Sequence, residues 1–444
     1  VAEARALRAS SLTAWKKGNM NEPENTNNTS HADAPASHDK WMERIGRNVI
    51  LGVGAKLREG RLAIIEGNDK HVFGNDGHSL ETSIHVHSPR FYRRSLFGGD
   101  IGIAESYMDG DWTCSDLTAL VRIMCRQADV LDELGSKWFR LSLPLHRMLH
   151  RLRDNRLSRS RRNIAEHYDL SNDFFALFLD DTMTYSCGIY TDESASLRDA
   201  QLAKMDRLCQ KLELSNDDHL LEIGTGWGAM AMHAASNYGC RVTTTTLSKE
   251  QAAFARKRIA DEGLSDRIDV IEKDYRRLNG TFDKLVSVEM IEAVGWRYME
   301  SFFRKCSELL KPEGLMALQA IVISDYRHEA SKRTVDFISR YIFPGGCLPS
   351  LTSMCTAMSR ATDMRVVHLE DLASHYARTL RDWRSRFFDR ISDVRTLGFP
   401  DSFINMWEYY LCYCEGGFAE RLIGDVQILF AKPRRHNEPI LPPL

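Results

Sequence analysis

Apolar positions along this chain change their period several times, and each change marks a boundary. From Asn21 to Lys40 the sequence is Asn, Ser, Asp, Pro and His with almost no large apolar residue. Such a composition does not offset its ordering entropy, so residues 1–40 are expected to form a disordered tail. Between residues 41 and 145 short apolar runs, Leu62 to Ile65 and Thr82 to Val86, precede a run of helical spacing from Leu117 to Met124. This predicts a small α+β domain with its own modest core. After Arg162 apolar strands alternate with helical periods. Leu220–Ile223, Arg241–Thr246, Ile268–Ile271, Lys284–Val288 and Leu315–Ile323 read as strands, and Gly228–Asn237, Lys249–Glu262 and Met299–Leu310 as helices. The alternation predicts an α/β fold, a doubly wound and mainly parallel sheet spanning residues 163–444. A last strand, Asp425–Ala431, is expected at the sheet edge, antiparallel.

Joining the two regions, residues 146–162 read as a basic amphipathic linker. Between Leu145 and Arg162 lie Arg147, Arg151, Arg153, Arg156, Arg159, Arg161 and Arg162 against the single acid Asp154, with Leu145, Met148, Leu149, Leu152 and Leu157 interleaved. That pattern suits a helix lying on an anionic bilayer; it also suits a solvated linker. The formal charge of −2 gives no whole-molecule field that would draw nucleic acid. Ten cysteines occur without the C-x-x-C spacing of a structural zinc or redox site, and they read as reduced thiols of a cytosolic protein, with no metal. No stretch approaches the roughly 20 consecutive apolar residues of a membrane span, and a secretory signal core is not seen. The expected location is the cytoplasm, at the inner face of the membrane if the basic segment docks there.

Leu221-Glu222-Ile223-Gly224-Thr225-Gly226-Trp227-Gly228 places a strand directly before a glycine-rich turn and a helix. Glycines let the backbone approach a ligand closely, and a helix start offers free N–H donors. The spacing is G-x-G-x-G with an acid two residues before the first glycine, not the G-x-G-x-x-G of dinucleotide folds, which favours S-adenosylmethionine. Thr246, Leu247 and Gln251 after the second strand are expected near the ribose, and Asp274 and Tyr275 after the third near the adenine. A carboxylate is usual at the second strand of class I methyltransferases; this chain has none there, so Thr246 and Gln251 would take its place.

Several longer strings identify a resemblance from Ser88 onward. They are His87-Ser88-Pro89-Arg90-Phe91 with Glu105-Ser106-Tyr107-Met108-Asp109-Gly110, the segment Glu166 to Phe175, Met183-Thr184-Tyr185-Ser186-Cys187, the segment Tyr341 to Ser350, and Cys414-Glu415-Gly416-Gly417-Phe418. In these the chain resembles the cyclopropane fatty acid synthases and the related mycolic acid and unsaturated lipid C-methyltransferases. The resemblance implies a class I methyltransferase domain in which a cis alkene of a phospholipid acyl chain takes the sulfonium methyl, leaving a carbocation that loses a proton and closes to a ring. It also implies a lipid-docking role for the N-terminal domain and a homodimer.

In the family the proton acceptor is thought to be a bound bicarbonate. Carried over by position, its holders are Cys187, Glu292, the backbone of Ile321, and Tyr376, while the family's histidine is Gln319 here. Glutamine donates and accepts hydrogen bonds but does not shuttle a proton as imidazole does, so a methyl- or methylene-branched product stands beside the ring. Cys414 matches a cysteine sometimes taken as catalytic; alkene methylation needs no covalent enzyme intermediate, which favours a packing role. Tyr185, Ser186 and Trp227 are expected beside the cofactor. An inactive cofactor-binding scaffold is the reading from another class, with Gln319 in its favour.

Overall fold

The computed structural model describes residues 37–127, apart from 76 and 78, and residues 170–436. The basic segment 145–162, the positions 166–169 and most of the expected tail lie outside the described residues. Helix α1 (Ser37–Gly54) begins inside the stretch expected to be disordered: Trp41, Met42, Ile45, Val49 and Ile50 give it an apolar face, and that face extends order back to Ser37.

A four-stranded sheet follows, in order β2-β1-β3-β4. Its strands are β1 (Arg61–Glu66), β2 (Asp69–Gly74), β3 (Glu81–Val86) and β4 (Trp112–Cys114). Helices α2 (Arg90–Met108) and α3 (Leu117–Arg126) pack on it, and Asp116 caps α3 by accepting from the Ala119 N–H. The expectation of a separate core for this region needs correction. Leu62, Ile64, Ile84, Trp112 and Leu120 belong to one continuous apolar cluster with Phe174, Phe178, Trp383, Trp407 and Phe418 from the second half of the chain. The small sheet has too little apolar surface to close over itself and completes its core on the C-terminal helices.

The second sheet has seven strands in the order β10-β11-β9-β8-β5-β6-β7. Short apolar runs give β5 (His219–Ile223), β6 (Arg241–Thr245), β7 (Ile268–Ile271) and β8 (Phe282–Val288), all parallel, with β9 (Leu310–Ile323) parallel to β8. In chain order the helices are α4 (Asn172–Ala176), α5 (Leu197–Lys211), α6 (Ala229–Tyr238), α7 (Lys249–Asp261), α8 (Ile291–Val294), α9 (Met299–Leu309), α10 (Asp325–Ser331), α11 (Leu351–Ala361), α12 (Ala373–Asp389), α13 (Ile391–Thr396) and α14 (Asp401–Ala419).

The predicted doubly wound α/β fold is what is found. One detail differs. β11 (Ile423–Ala431) is antiparallel to β9 as expected, but it lies inside the sheet, and the edge is β10 (Arg365–Asp371). Every residue of β11 from Asp425 to Ala431 is buried, as an inner strand requires, whereas β10 is charged and leaves Val366 and Leu369 exposed. Among the described residues no helix is long and apolar enough to cross a membrane.

Candidate active site

The parallel strands end together on one side of the sheet, and the sequence-predicted residues gather there. β5 leads into Gly224, Gly226 and Gly228, whose φ values of +108°, +51° and +90° lie in the left-handed region. A Cβ on Gly228 would meet the Cβ of Ala255 at 3.2 Å, so this glycine lets α6 seat against α7. A Cβ on Gly226 would meet nothing within 4 Å: the turn presents bare backbone to open space, as a ligand lying on it requires. Glu222 is buried beneath the turn. It accepts from the Thr244 hydroxyl at 2.6 Å, and Thr244 meets Thr225 at 2.7 Å. Burial pushes the Glu222 carboxyl up to about 8.

The second-strand positions satisfy one another. Thr246 donates to the Gln251 amide oxygen at 2.9 Å and accepts from the Ser248 N–H at 3.1 Å, while Ser248 caps α7; Leu247 is half-buried in the same turn. Asp274 pairs with Arg276 at 2.7 Å, and Tyr275 packs edge-on against Phe302 at 5.6 Å. Trp227 donates to Asn172 at 2.7 Å and its ring lies 5.0 Å from Phe175, which brings α4 over the glycine turn. These residues fit S-adenosylmethionine: an open glycine turn, buried polar groups at the second and third strand ends, and an aromatic cover.

Beside it stands a polar cluster centred on a residue that sequence reasoning did not single out. Glu289 follows β8 in left-handed backbone, φ 47°, and its N–H donates to the Gln319 carbonyl at 2.9 Å. Three donors converge on its carboxylate: the Cys187 N–H at 2.8 Å, the Gln319 amide at 2.8 Å and the Tyr376 hydroxyl at 2.6 Å. Burial raises this carboxyl, and those three bonds oppose the rise by favouring the ionised form. Glu292, three residues on, accepts from the Ile321 N–H at 2.5 Å, and its second oxygen is buried without a partner. Its carboxyl is pushed up to about 8 by burial and by Glu289. Asp425 from β11 accepts from Gln319 at 3.0 Å and has its other oxygen unpartnered; burial and the neighbouring carboxylates raise it well above the usual range. The buried Lys204 ammonium is the counter-charge to this group, and it donates to the Ser186 hydroxyl at 2.6 Å.

Cys187, Gln319, Ile321, Glu292 and Tyr376 are thus brought together as expected. A bicarbonate among them does not fit. The Cys187, Gln319 and Tyr376 donors are engaged by Glu289 and the Ile321 N–H by Glu292, and two further carboxyl oxygens nearby lack partners of their own. The signal for Glu289 was present in the sequence: an acid at the end of a parallel strand, three residues before Glu292, in a chain whose family histidine is an amide.

Ser186 is tied to Lys204 and, through its carbonyl, to Gln201, so it anchors the loop. The Cys187 thiol is held well above its ordinary range by burial and by Asp425. Cys414 sits one turn from Tyr410 on α14, with its thiol also raised by burial, which disfavours the thiolate at both sulfurs. Tyr185 meets Tyr410 hydroxyl to hydroxyl at 2.8 Å, and its ring lies 5.3 Å from Phe175 and 5.1 Å from Trp383.

Comparison with known proteins accords with this geometry. The family model "Mycolic acid cyclopropane synthetase" matches residues 155–428. The tuberculostearic acid methyltransferase UfaA1 of Mycobacterium tuberculosis is 42% identical over 344 residues, covering 76% of this chain and 80% of that protein. The cyclopropane-fatty-acyl-phospholipid synthase of Escherichia coli is 36% identical over 370 residues, 80% of this chain and 89% of that one. Among solved structures, the cyclopropane synthase MmaA2 of Mycobacterium tuberculosis superposes with a TM-score of 0.57 at 30% identity, covering 61% of this chain and 98% of that one. Mycolic acid cyclopropane synthase CmaA1, in complex with SAH and CTAB, gives 0.58 at 32% identity over the same shares. The chain belongs to the mycolic acid cyclopropane synthetase family of S-adenosylmethionine-dependent lipid methyltransferases.

Proposed function

We propose that this enzyme methylates the cis double bond of an unsaturated phospholipid acyl chain, and that Glu289 takes the proton that must then leave, giving a methylene-branched chain. The observation that carries the reading is the Glu289 carboxylate held by Cys187, Gln319 and Tyr376. Bound S-adenosylmethionine supplies an electrophilic methyl. The protein's part is to exclude water and manage the charge left on the acyl chain. The rings of Tyr185, Phe175 and Trp383 offer π faces to a transient cation. After a hydride moves from the methylated carbon to its cationic neighbour, Glu289 accepts a proton from the new methyl group and the C–H electrons form the double bond of the methylene branch. A base whose carboxyl is raised by burial yet held by donors suits that transfer. Likeness to a tuberculostearic acid methyltransferase supports the branched product. Ring closure is the second reading, supported by likeness to the phospholipid synthase and by the retained Cys187, Glu292, Ile321 and Tyr376 positions. An anionic membrane surface is the proposed place of action.

The test is incubation with S-adenosylmethionine and vesicles of cis-unsaturated phospholipid, with acyl products read by mass spectrometry and proton NMR. A gain of one CH2 with vinylic methylene signals is expected; upfield ring-methylene signals would establish the cyclopropane product instead. Glu289→Gln should lower turnover by at least about 100-fold, and undiminished turnover would remove Glu289 as the base.

A further inference from the structure

Lys211 ends α5, and its side chain is fully buried. Its ammonium donates to Glu370 at 2.6 Å and to the Gln427 amide oxygen at 2.7 Å. One turn back, Arg207 holds the other Glu370 oxygen at 2.7 Å. Burial pushes the ammonium down to about 8, and Glu370 opposes this. Gln427 on β11 faces Gln319 on β9 as its register partner. The Gln427 amide nitrogen donates to the Gln319 oxygen at 3.0 Å, and the Gln319 nitrogen donates to Glu289 at 2.8 Å and to Asp425 at 3.0 Å.

The two ends of a glutamine amide are alike in size and opposite in chemistry, whereas an ammonium only donates. Lys211 therefore compels the Gln427 oxygen to face it. That turns the Gln427 nitrogen toward Gln319, which must then offer its oxygen, leaving its own nitrogen for the two carboxyls. Reversing Gln427 would set NH2 against the ammonium and oxygen against the Gln319 oxygen, and reversing Gln319 would set NH2 against NH2 and oxygen against the two carboxyls. The row is thus directional, with its sense fixed at Lys211. Amides do not relay protons readily, so the row orients and does not conduct.

We propose that Lys211 is a positioning residue for the reaction: acting through Gln427, it fixes which way the Gln319 amide points and so keeps a hydrogen-bond donor on Glu289. This rests on the reading of Glu289 as the base. Glu289 is also faced by Lys204 from α5, Asp425 from β11, Glu292 from α8, Cys187 before α5, Tyr376 from α12 and Tyr410 from α14. Lys211 is faced by Glu370 and His368 from β10 and by Arg207. Glu289, Asp425 and the Cys187 carbonyl favour the same sense of the Gln319 amide from the inner end, by accepting from its nitrogen; Lys211, through Gln427, fixes it from the outer end.

Losing an oriented donor favours the protonated carboxyl. In Lys211→Met, the acid limb of kcat against pH should move up by about one pH unit, tenfold in rate on that limb, with the plateau rate and the KM for S-adenosylmethionine within about threefold of the parent. Gln427→Glu, which replaces the inner donor by an acceptor, should move the limb the same way, and Gln427→Leu serves if Lys211→Met fails to fold. If Glu289→Gln is inactive while the Lys211 and Gln427 variants keep the parental limb, the positioning role is overturned and the base stands. If Glu289→Gln turns over like the parent, it is the base reading that fails.

Discussion

Burial and the neighbouring Glu289 push the Glu292 carboxyl from the ordinary 4.5 up to about 8, and this has a sign in stability. An acid raised in the folded state contributes most below its unfolded value and loses that contribution as pH climbs toward the folded one, here from about 4.5 to about 8. Glu292→Gln keeps an oxygen for the Ile321 N–H and removes the titration. Relative to the parent, the variant should gain about 3 kcal/mol between pH 5 and pH 8, seen as a steady change in the difference between their thermal midpoints. A difference that stays constant across that range would show Glu292 to be ordinary. Most individual site residues were legible in the sequence because a strand end followed by glycines or acids restricts what the chemistry can be. Glu289 carries that same strand-end signal, but what sets it apart from its neighbours, left-handed backbone and three donors from segments far apart in the chain, is visible only in the fold.

Among elements, the glycine turn between β5 and α6 separates binding from folding. Gly226 has open space where a side chain would go, so Gly226→Ala meets only the left-handed backbone cost of about 1–2 kcal/mol. Its effect on a ligand lying on the turn should be larger: affinity for S-adenosylhomocysteine by titration calorimetry is expected to fall at least about tenfold, 1.4 kcal/mol, with the thermal midpoint of the unliganded protein lowered by only a few degrees. Unchanged affinity would move the cofactor off this turn. The parallel strands were readable because burial on both faces writes them as apolar runs. β10 was missed for the opposite reason: Arg365, His368, Glu370 and Asp371 break the run, as suits a strand whose outer side meets water.

At the scale of the molecule, the small sheet shares a core with helices α4, α12 and α14, while the strands of the large sheet pack in two further clusters, and polar contacts bind α3 to the C-terminal helices. Thr118 donates to the buried Glu415 at 3.2 Å, Arg381 and Arg384 hold the same carboxylate, and Glu420 takes Arg122 and Arg126 at 2.7 and 2.8 Å. Calorimetry should therefore show one endotherm for the described parts. Glu415→Ala, costing about 1–3 kcal/mol after allowing for the exposure of Arg381, should move that endotherm down as a unit; a split into two would show two independent cores. Sequence pattern predicted the two regions and the parallel strands but not this union, because it depends on helices α12 and α14 returning from the C-terminal end to cover a sheet made some 300 residues earlier.

The carboxylate at the end of β8 also changes what the enzyme needs from its surroundings. A base borne by the chain is always at unit occupancy, delivered with the fold. Lipid modification by this protein would then proceed at the same pace in degassed buffer as under carbon dioxide, tying its output to methyl donor and membrane composition and leaving it indifferent to the respiratory state of the cell.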